Sequence, residues 1–287
     1  MRGATRRVRP PPGPPIVYGH RGCSAVAPEN TLAAFGALAE LARCYGSRSA
    51  AVVRPSADAP ALRIGVELDV QRSADGELVV FHDWDLRRIA GRDARIMQTD
   101  YRQLAAIDVG SWFDARFAAE RIPRLDDVFA LLGDAVVYDI ELKHQRRGET
   151  ELEAAVACAI DRHALQERCM VSSFNPYALR AFGCRAPRIP LALIYANDPA
   201  VPWVLRRGAG RFMVAVDVLK PRRQQAAAAL RKPRIGRRLP VLPWTINDPQ
   251  EALALIRRGC VGVISDDPAA VAAAIRDRGD TFSATAN

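Results

Sequence analysis

Four short stretches of this sequence hold side chains able to move protons or bind ions. Glu67 and Asp69 stand two positions apart in a β-branched run, so a strand puts both carboxylates on one face. His82-Asp83 ends a second such run, His20-Arg21-Gly22 ends a third, and Glu141 and Lys143, again two apart, close a fourth. Three carboxylates converging from two strands make an oxygen-rich site for one hard divalent ion, Mg2+ or Ca2+. His20 and His82 can exchange protons near neutrality, and Arg21 and Lys143 can hold a phosphate. Metal, acid, base and anion clamp together describe phosphodiester cleavage. Each residue alone has an ordinary reading as a hydrogen-bonded strand end or a salt bridge. That two of the four histidines end strands beside carboxylates favours the chemical reading; His144 and His163 read as structural or solvated.

Such side chains need a frame. Short β-branched runs alternate with Ala/Leu-rich helical stretches, the pattern of βα units around a parallel sheet. Candidate strands fall at 16–19, 64–72, 78–82, 136–142, 170–173, 191–195, 213–218, 240–246 and 261–265. Parallel neighbours need a crossover of about a dozen residues, and 73–77 is too short, so 64–72 and 78–82 form an antiparallel hairpin turned at Asp75-Gly76. With a two-residue loop there, Asp69 lies opposite His82. Eight strands remain for a parallel ring, a (β/α)8 TIM barrel, whose active site sits at the carboxyl ends of its strands. Asn30 reads as the N-cap of a helix burying Leu32, Phe35, Leu38, Ala39 and Ala42. Residues 46–62 read as an extra surface loop, and 83–124, holding Trp112, Phe113 and Phe117, as an insertion beside the barrel mouth.

The quoted stretches resemble, in order, the signature of the glycerophosphodiester phosphodiesterases, within the phosphatidylinositol-phospholipase-C-like superfamily. They are Gly19-His20-Arg21-Gly22, Pro28-Glu29-Asn30-Thr31, Glu67-Leu68-Asp69, Asp75-Gly76 and His82-Asp83. Ile140-Glu141-Leu142-Lys143, Ser172-Ser173-Phe174, Pro243-Trp244-Thr245-Ile246-Asn247 and Ile264-Ser265-Asp266-Asp267-Pro268 agree. The resemblance spans residues 17–276. It implies a barrel enzyme using His20 and His82 as general base and acid, with Glu67, Asp69 and Glu141 on one divalent metal. Arg21 and Lys143 would contact the phosphate of a small glycerophosphodiester, releasing glycerol 3-phosphate, while Phe174 and Trp244 would line the alcohol side. A lysophospholipase D acting on lipids and an inactive phosphate-binding module are the alternatives; a long apolar rim in 83–124 would favour the former. The extra loop at 46–62 is longer than the family pattern.

Composition agrees with one globular domain over 16–276. Of 287 residues 49% are hydrophobic and 25% charged, which excludes disordered and fibrous classes. Four of the charges behind the net +9 are Arg2, Arg6, Arg7 and Arg9, in an Arg/Pro-rich stretch, 1–15, that reads as a disordered tail, with 277–287 as a flexible C-terminus. The arginines elsewhere are scattered without interleaved aromatics, so no nucleic-acid partner is expected. No apolar run reaches membrane-spanning length. The six cysteines show no zinc-ligand spacing and read as free thiols, mostly packed in the core, which with the lack of a secretory signal points to a cytoplasmic protein.

Overall fold

The computed structural model describes residues 13–45, 62–143, 151–231 and 239–277. The tail up to residue 12, the extra loop apart from Leu62, His144 and everything beyond Asp277 lie outside the described residues. In chain order the elements are β1 (Ile16–His20), α1 (Leu32–Cys44), β2 (Arg63–Arg72), β3 (Leu78–Val80), α2 (Arg87–Ala90), α3 (Tyr101–Leu104), α4 (Leu125–Leu132) and β4 (Val137–Leu142). There follow α5 (Glu151–Arg162), β5 (Cys169–Ser173), α6 (Pro176–Arg185), β6 (Leu191–Tyr195), β7 (Val218–Pro221), α7 (Ala226–Ala229), α8 (Pro249–Arg257), β8 (Gly262–Ser265) and α9 (Pro268–Asp277).

Seven strands pair in parallel in the order β7-β6-β5-β4-β2-β1-β8, with β3 antiparallel on β2. Residues 240–246 close the ring, but not as a continuous ladder. Pro240 and Pro243 have no N–H to donate, so this segment is held by separate bonds. Leu242 and Trp244 donate to β7 carbonyls, while Val241 and Pro243 accept from Val261 and Ile264. The strand expected at 213–218 instead runs Val218–Pro221, because Asp217 turns the chain by accepting from the Leu191 N–H at 3.0 Å.

The pleat sorts side chains into two cores. Val17, Val66, Leu68, Ile140, Val171 and Leu219 face outward into the main apolar cluster shared with the helices, while Ile16, Tyr18, Val137, Met170, Val218 and Ile264 point into the ring and fill its floor. Gly65 is required there: a Cβ would come within 2.4 Å of the Tyr18 ring. Continuing by twos from the floor leads to His20, Glu67, Asp69, Asp139, Glu141, Ser172 and Lys220, so the ring passes from apolar to charged toward its carboxyl end.

The hairpin register differs from expectation by one residue. Val70 pairs with Val80 and Arg72 with Leu78, so the loop is 74–76 and Asp69 lies opposite Phe81, not His82. Ser73 sets this longer turn: its Oγ accepts from the Glu77 N–H at 2.9 Å, and Gly76 takes a φ of 94°. Residues 83–124 cover the hairpin with a small core of their own, in which Leu86, Ile96, Leu104 and Ile122 pack on Val79 and Phe81. Thr31, not Asn30, caps α1, accepting from Ala34 N–H at 3.3 Å, and Leu32 is exposed. Of the cysteines only Cys23, Cys169 and Cys260 are buried; Cys44, Cys158 and Cys184 are exposed. Among the described residues no helix is long and apolar enough to cross a membrane.

Candidate active site

Strand register brings the carboxylates together. Glu67 lies beside Asp139 and Asp69 beside Glu141 across the β2–β4 pair, while His20 lies beside Glu67 across β1–β2. One oxygen from each of Glu67, Asp69 and Glu141 falls within 4.8 Å of the others, and all three residues are buried. Asp69 Oδ1 is sequestered without a hydrogen-bond donor, with Lys143 Nζ 3.6 Å away. Among the described residues no ion pair reaches Glu67, whose Oε2 accepts the Arg21 backbone N–H at 3.2 Å. Burial, and then the neighbouring Asp69 charge, push its carboxyl up to about 8. Asp69 goes the other way: burial alone would raise it, but His82, Lys143, Arg21 and the Asn30 amide hold it well below the carboxylate range. Clustered, desolvated and short of donors, these oxygens fit a hard divalent ion.

Each histidine is held by an acid at Nδ1. His20 Nδ1 meets Asp266 Oδ1 and His82 Nδ1 meets Asp83 Oδ1, both at 2.6 Å. With Nδ1 of each ring engaged by a carboxylate, Nε2 is the ring nitrogen left to meet a substrate. Asp266 is itself fixed by Asn247 Nδ2 at 2.7 Å and Ser24 Oγ at 3.1 Å. Burial opposes its charge, but the hydrogen bond and charge of His20, aided by Asn247 and Ser24, bring the carboxyl down to about 2.

Charged neighbours tie the two halves together. Arg21 Nη1 donates to Glu29 at 2.7 Å and its Nε lies 3.4 Å from Asp69. Arg88, on α2, forks onto Glu29 at 2.6 and 3.0 Å and donates through Nε to Asp83 at 2.6 Å. A continuous run of contacts thus links Asp69 to His82. Lys143 Nζ is 3.2 Å from Glu141 and 5.5 Å from the Trp84 ring centre. Phe174 and Trp244 meet edge to face at 5.8 Å.

Of the expected site residues, Glu67 and Asp69 lie within β2, Glu141 near the end of β4 and His20 at the end of β1. Arg21, His82, Lys143 and Phe174 follow one or two residues after strands, and Trp244 sits in the segment that closes the ring. Asn30, read from the sequence as a helix cap, instead donates through Nδ2 to Asp69 at 2.9 Å, and the sequence alone assigns no role to Asp83, Arg88, Asn247 or Asp266. Asn30 carries a signal in hindsight, because its φ of 56° suits asparagine better than most residues. His163 has the structural place expected, with Nε2 2.9 Å from Asp126 and its ring against Phe129.

Comparison with known proteins supplies the context. The model of the glycerophosphoryl diester phosphodiesterase family matches residues 61–270. A glycerophosphodiester phosphodiesterase of Caldanaerobacter subterraneus is 31% identical over 267 residues, covering 92% of this chain and 99% of its own length. Among solved structures, an Oleispira antarctica phosphodiesterase in complex with the product sn-glycerol-3-phosphate superposes with a TM-score of 0.70 at 29% identity, covering 91% of this chain and 97% of the other. A glycerophosphoryl diester phosphodiesterase described as putative, from Silicibacter pomeroyi, shares the fold at 24% identity, with a TM-score of 0.72 and coverage of 95% and 96%.

Proposed function

The chain belongs to the glycerophosphoryl diester phosphodiesterase family, and on that basis we propose that it hydrolyses glycerophosphodiesters to glycerol 3-phosphate and an alcohol by acid-base catalysis between two histidines. The observation that carries this reading is the convergence of three buried carboxylates with two histidines, each held at Nδ1 by an aspartate. Glu67, Asp69 and Glu141 would hold one Mg2+ or Ca2+, which when bound offsets negative charge developing on the phosphate. Arg21 and Lys143 orient the phosphate from beside the same carboxylates. Nε2 of one histidine accepts the proton of the glycerol hydroxyl beside the ester as it attacks phosphorus, and Nε2 of the other protonates the leaving alcohol oxygen. Water then opens the cyclic phosphate to glycerol 3-phosphate with the two roles reversed. Phe174 and Trp244 give the alcohol an apolar wall.

A soluble head group suits the entrance better than a lipid tail. The aliphatic side chains Leu86, Ile89, Ile96, Leu104, Ile107, Val109 and Ile122 of 83–124 turn inward. Met97 and Trp112 are left exposed, with Phe113 and Phe117 half-buried in a short aromatic cluster with Trp112. A cytoplasmic setting agrees with the exposed thiols of Cys44, Cys158 and Cys184. Release of glycerol 3-phosphate from a panel of glycerophosphodiesters, with and without added divalent ions, tests the reading. Ion-dependent release is expected; full activity after exhaustive chelation would overturn the metal assignment.

A further inference from the structure

Below the three clustered carboxylates the ring holds a fourth. Asp139 is completely buried, directly beside Glu67 in the strand register and two residues before Glu141. Its chemistry and place qualify it as a further metal ligand, yet it is engaged elsewhere. Lys220 Nζ lies 2.5 Å from Oδ2, and Ser172 Oγ donates to Oδ1 at 2.6 Å. The same ammonium donates to Ser172 Oγ at 2.9 Å. Lys220 reaches this point from β7, pointing inward one layer above Val218, and is itself buried. After Asp139, the acids that feel its charge most are Glu67 and Glu141.

An ammonium taken out of water costs several kcal/mol unless carboxylates surround it, and here they do. Conversely, four buried carboxylates around one interior are what two-ion phosphodiesterase centres use, with cations about 3.5–4 Å apart sharing the oxygens. We propose that Lys220 is the resident cation of this site: it neutralises Asp139, withholds it from the metal and limits the centre to one divalent ion. The inference rests on the metal centre proposed above and makes Lys220 a positioning residue. It also assigns the second cation's usual task, relieving charge on the leaving oxygen, to a histidine proton.

Equilibrium binding of Mn2+ to the full chain, counted by dialysis and titration calorimetry, tests this. Wild type should bind one Mn2+ per chain, Lys220→Met two, and the double variant Asp139→Asn/Lys220→Met one again. Asp139→Asn alone leaves the ammonium uncompensated beside the ligands and should weaken Mn2+ binding about tenfold or more, with the double variant returning to within about threefold of wild type. Unchanged stoichiometry in Lys220→Met overturns the inference and leaves the metal reading standing. Should that variant not fold, unchanged affinity in Asp139→Asn overturns it equally. Failure of wild type to bind Mn2+ at all overturns the metal reading itself.

Discussion

Asp266 lies 2.6 Å from Nδ1 of His20 across 246 residues of chain. The contact orients the ring and fixes its tautomer, so Asp266→Asn should lower kcat by about 10²-fold or more, with KM less affected. Combined with His20→Ala the loss should be less than additive, because both act through one imidazole. Steady-state kinetics of the single and double variants decide it; near-normal turnover in Asp266→Asn would leave the contact a structural one. The carboxyl's value of about 2 also has a sign. Its stabilisation is complete above the ordinary range near pH 4 and is lost as pH falls through about 2, so the variant should unfold less steeply in acid.

Arg88 touches both Glu29 and Asp83, the acids that hold Arg21 and His82. Arg88→Lys cannot reproduce the fork and should lower kcat/KM by about tenfold. The guanidinium is 46% exposed, so thermal stability should change little. A pH-rate profile that does not move in this variant would detach the arginine from the histidine.

Glu67 gives the metal-free protein a pH dependence of the opposite sign. A carboxyl raised to about 8 contributes stability that is complete below its unfolded value and is lost as pH rises through the folded one. Between pH 5 and 8 the metal-free Tm should fall by about 5 °C or more, and Glu67→Gln should flatten the trend. Added Mg2+ or Ca2+ should raise Tm more at pH 8 than at pH 5. Calorimetry across that range checks it, and a metal-free Tm that rises would contradict it.

A glycerophosphodiester carries a free hydroxyl beside the ester, and its oxygen can reach phosphorus intramolecularly with an effective molarity of about 10⁵ M or more. If one histidine removes that proton, a substrate analogue lacking the hydroxyl should bind yet turn over very slowly, and a cyclic glycerol phosphate should appear transiently in single turnovers. Hydrolysis of the analogue at the normal rate would assign the first proton transfer to water instead.

The period of two made much of the site readable in advance. Once 64–72 and 136–142 are strands, Glu67, Asp69 and Glu141 must share the interior, and the structure places them so. Less was legible where geometry depends on turns or on closure of the ring. The hairpin slipped by one because Ser73, rather than Asp75-Gly76 alone, sets the loop. Asn30 resembled a helix cap because Asn is, if anything, the better capping residue than the Thr31 that follows it, and only its fold-dependent backbone turns the amide to Asp69. Asp266 and Lys220 were invisible as partners because no local pattern says which strands become neighbours across a barrel.

The strand that closes the ring has a consequence for biosynthesis. β1 is flanked by β2 and by β8, and 240–246 seals the remaining seam. While the ribosome is still translating that last region, the nascent sheet exposes two unpaired edges, on β1 and β7, above a floor already lined with apolar side chains. The unfinished chain is therefore liable to pair with its neighbours on a polysome, so chaperones that cover strand edges during synthesis should raise its yield.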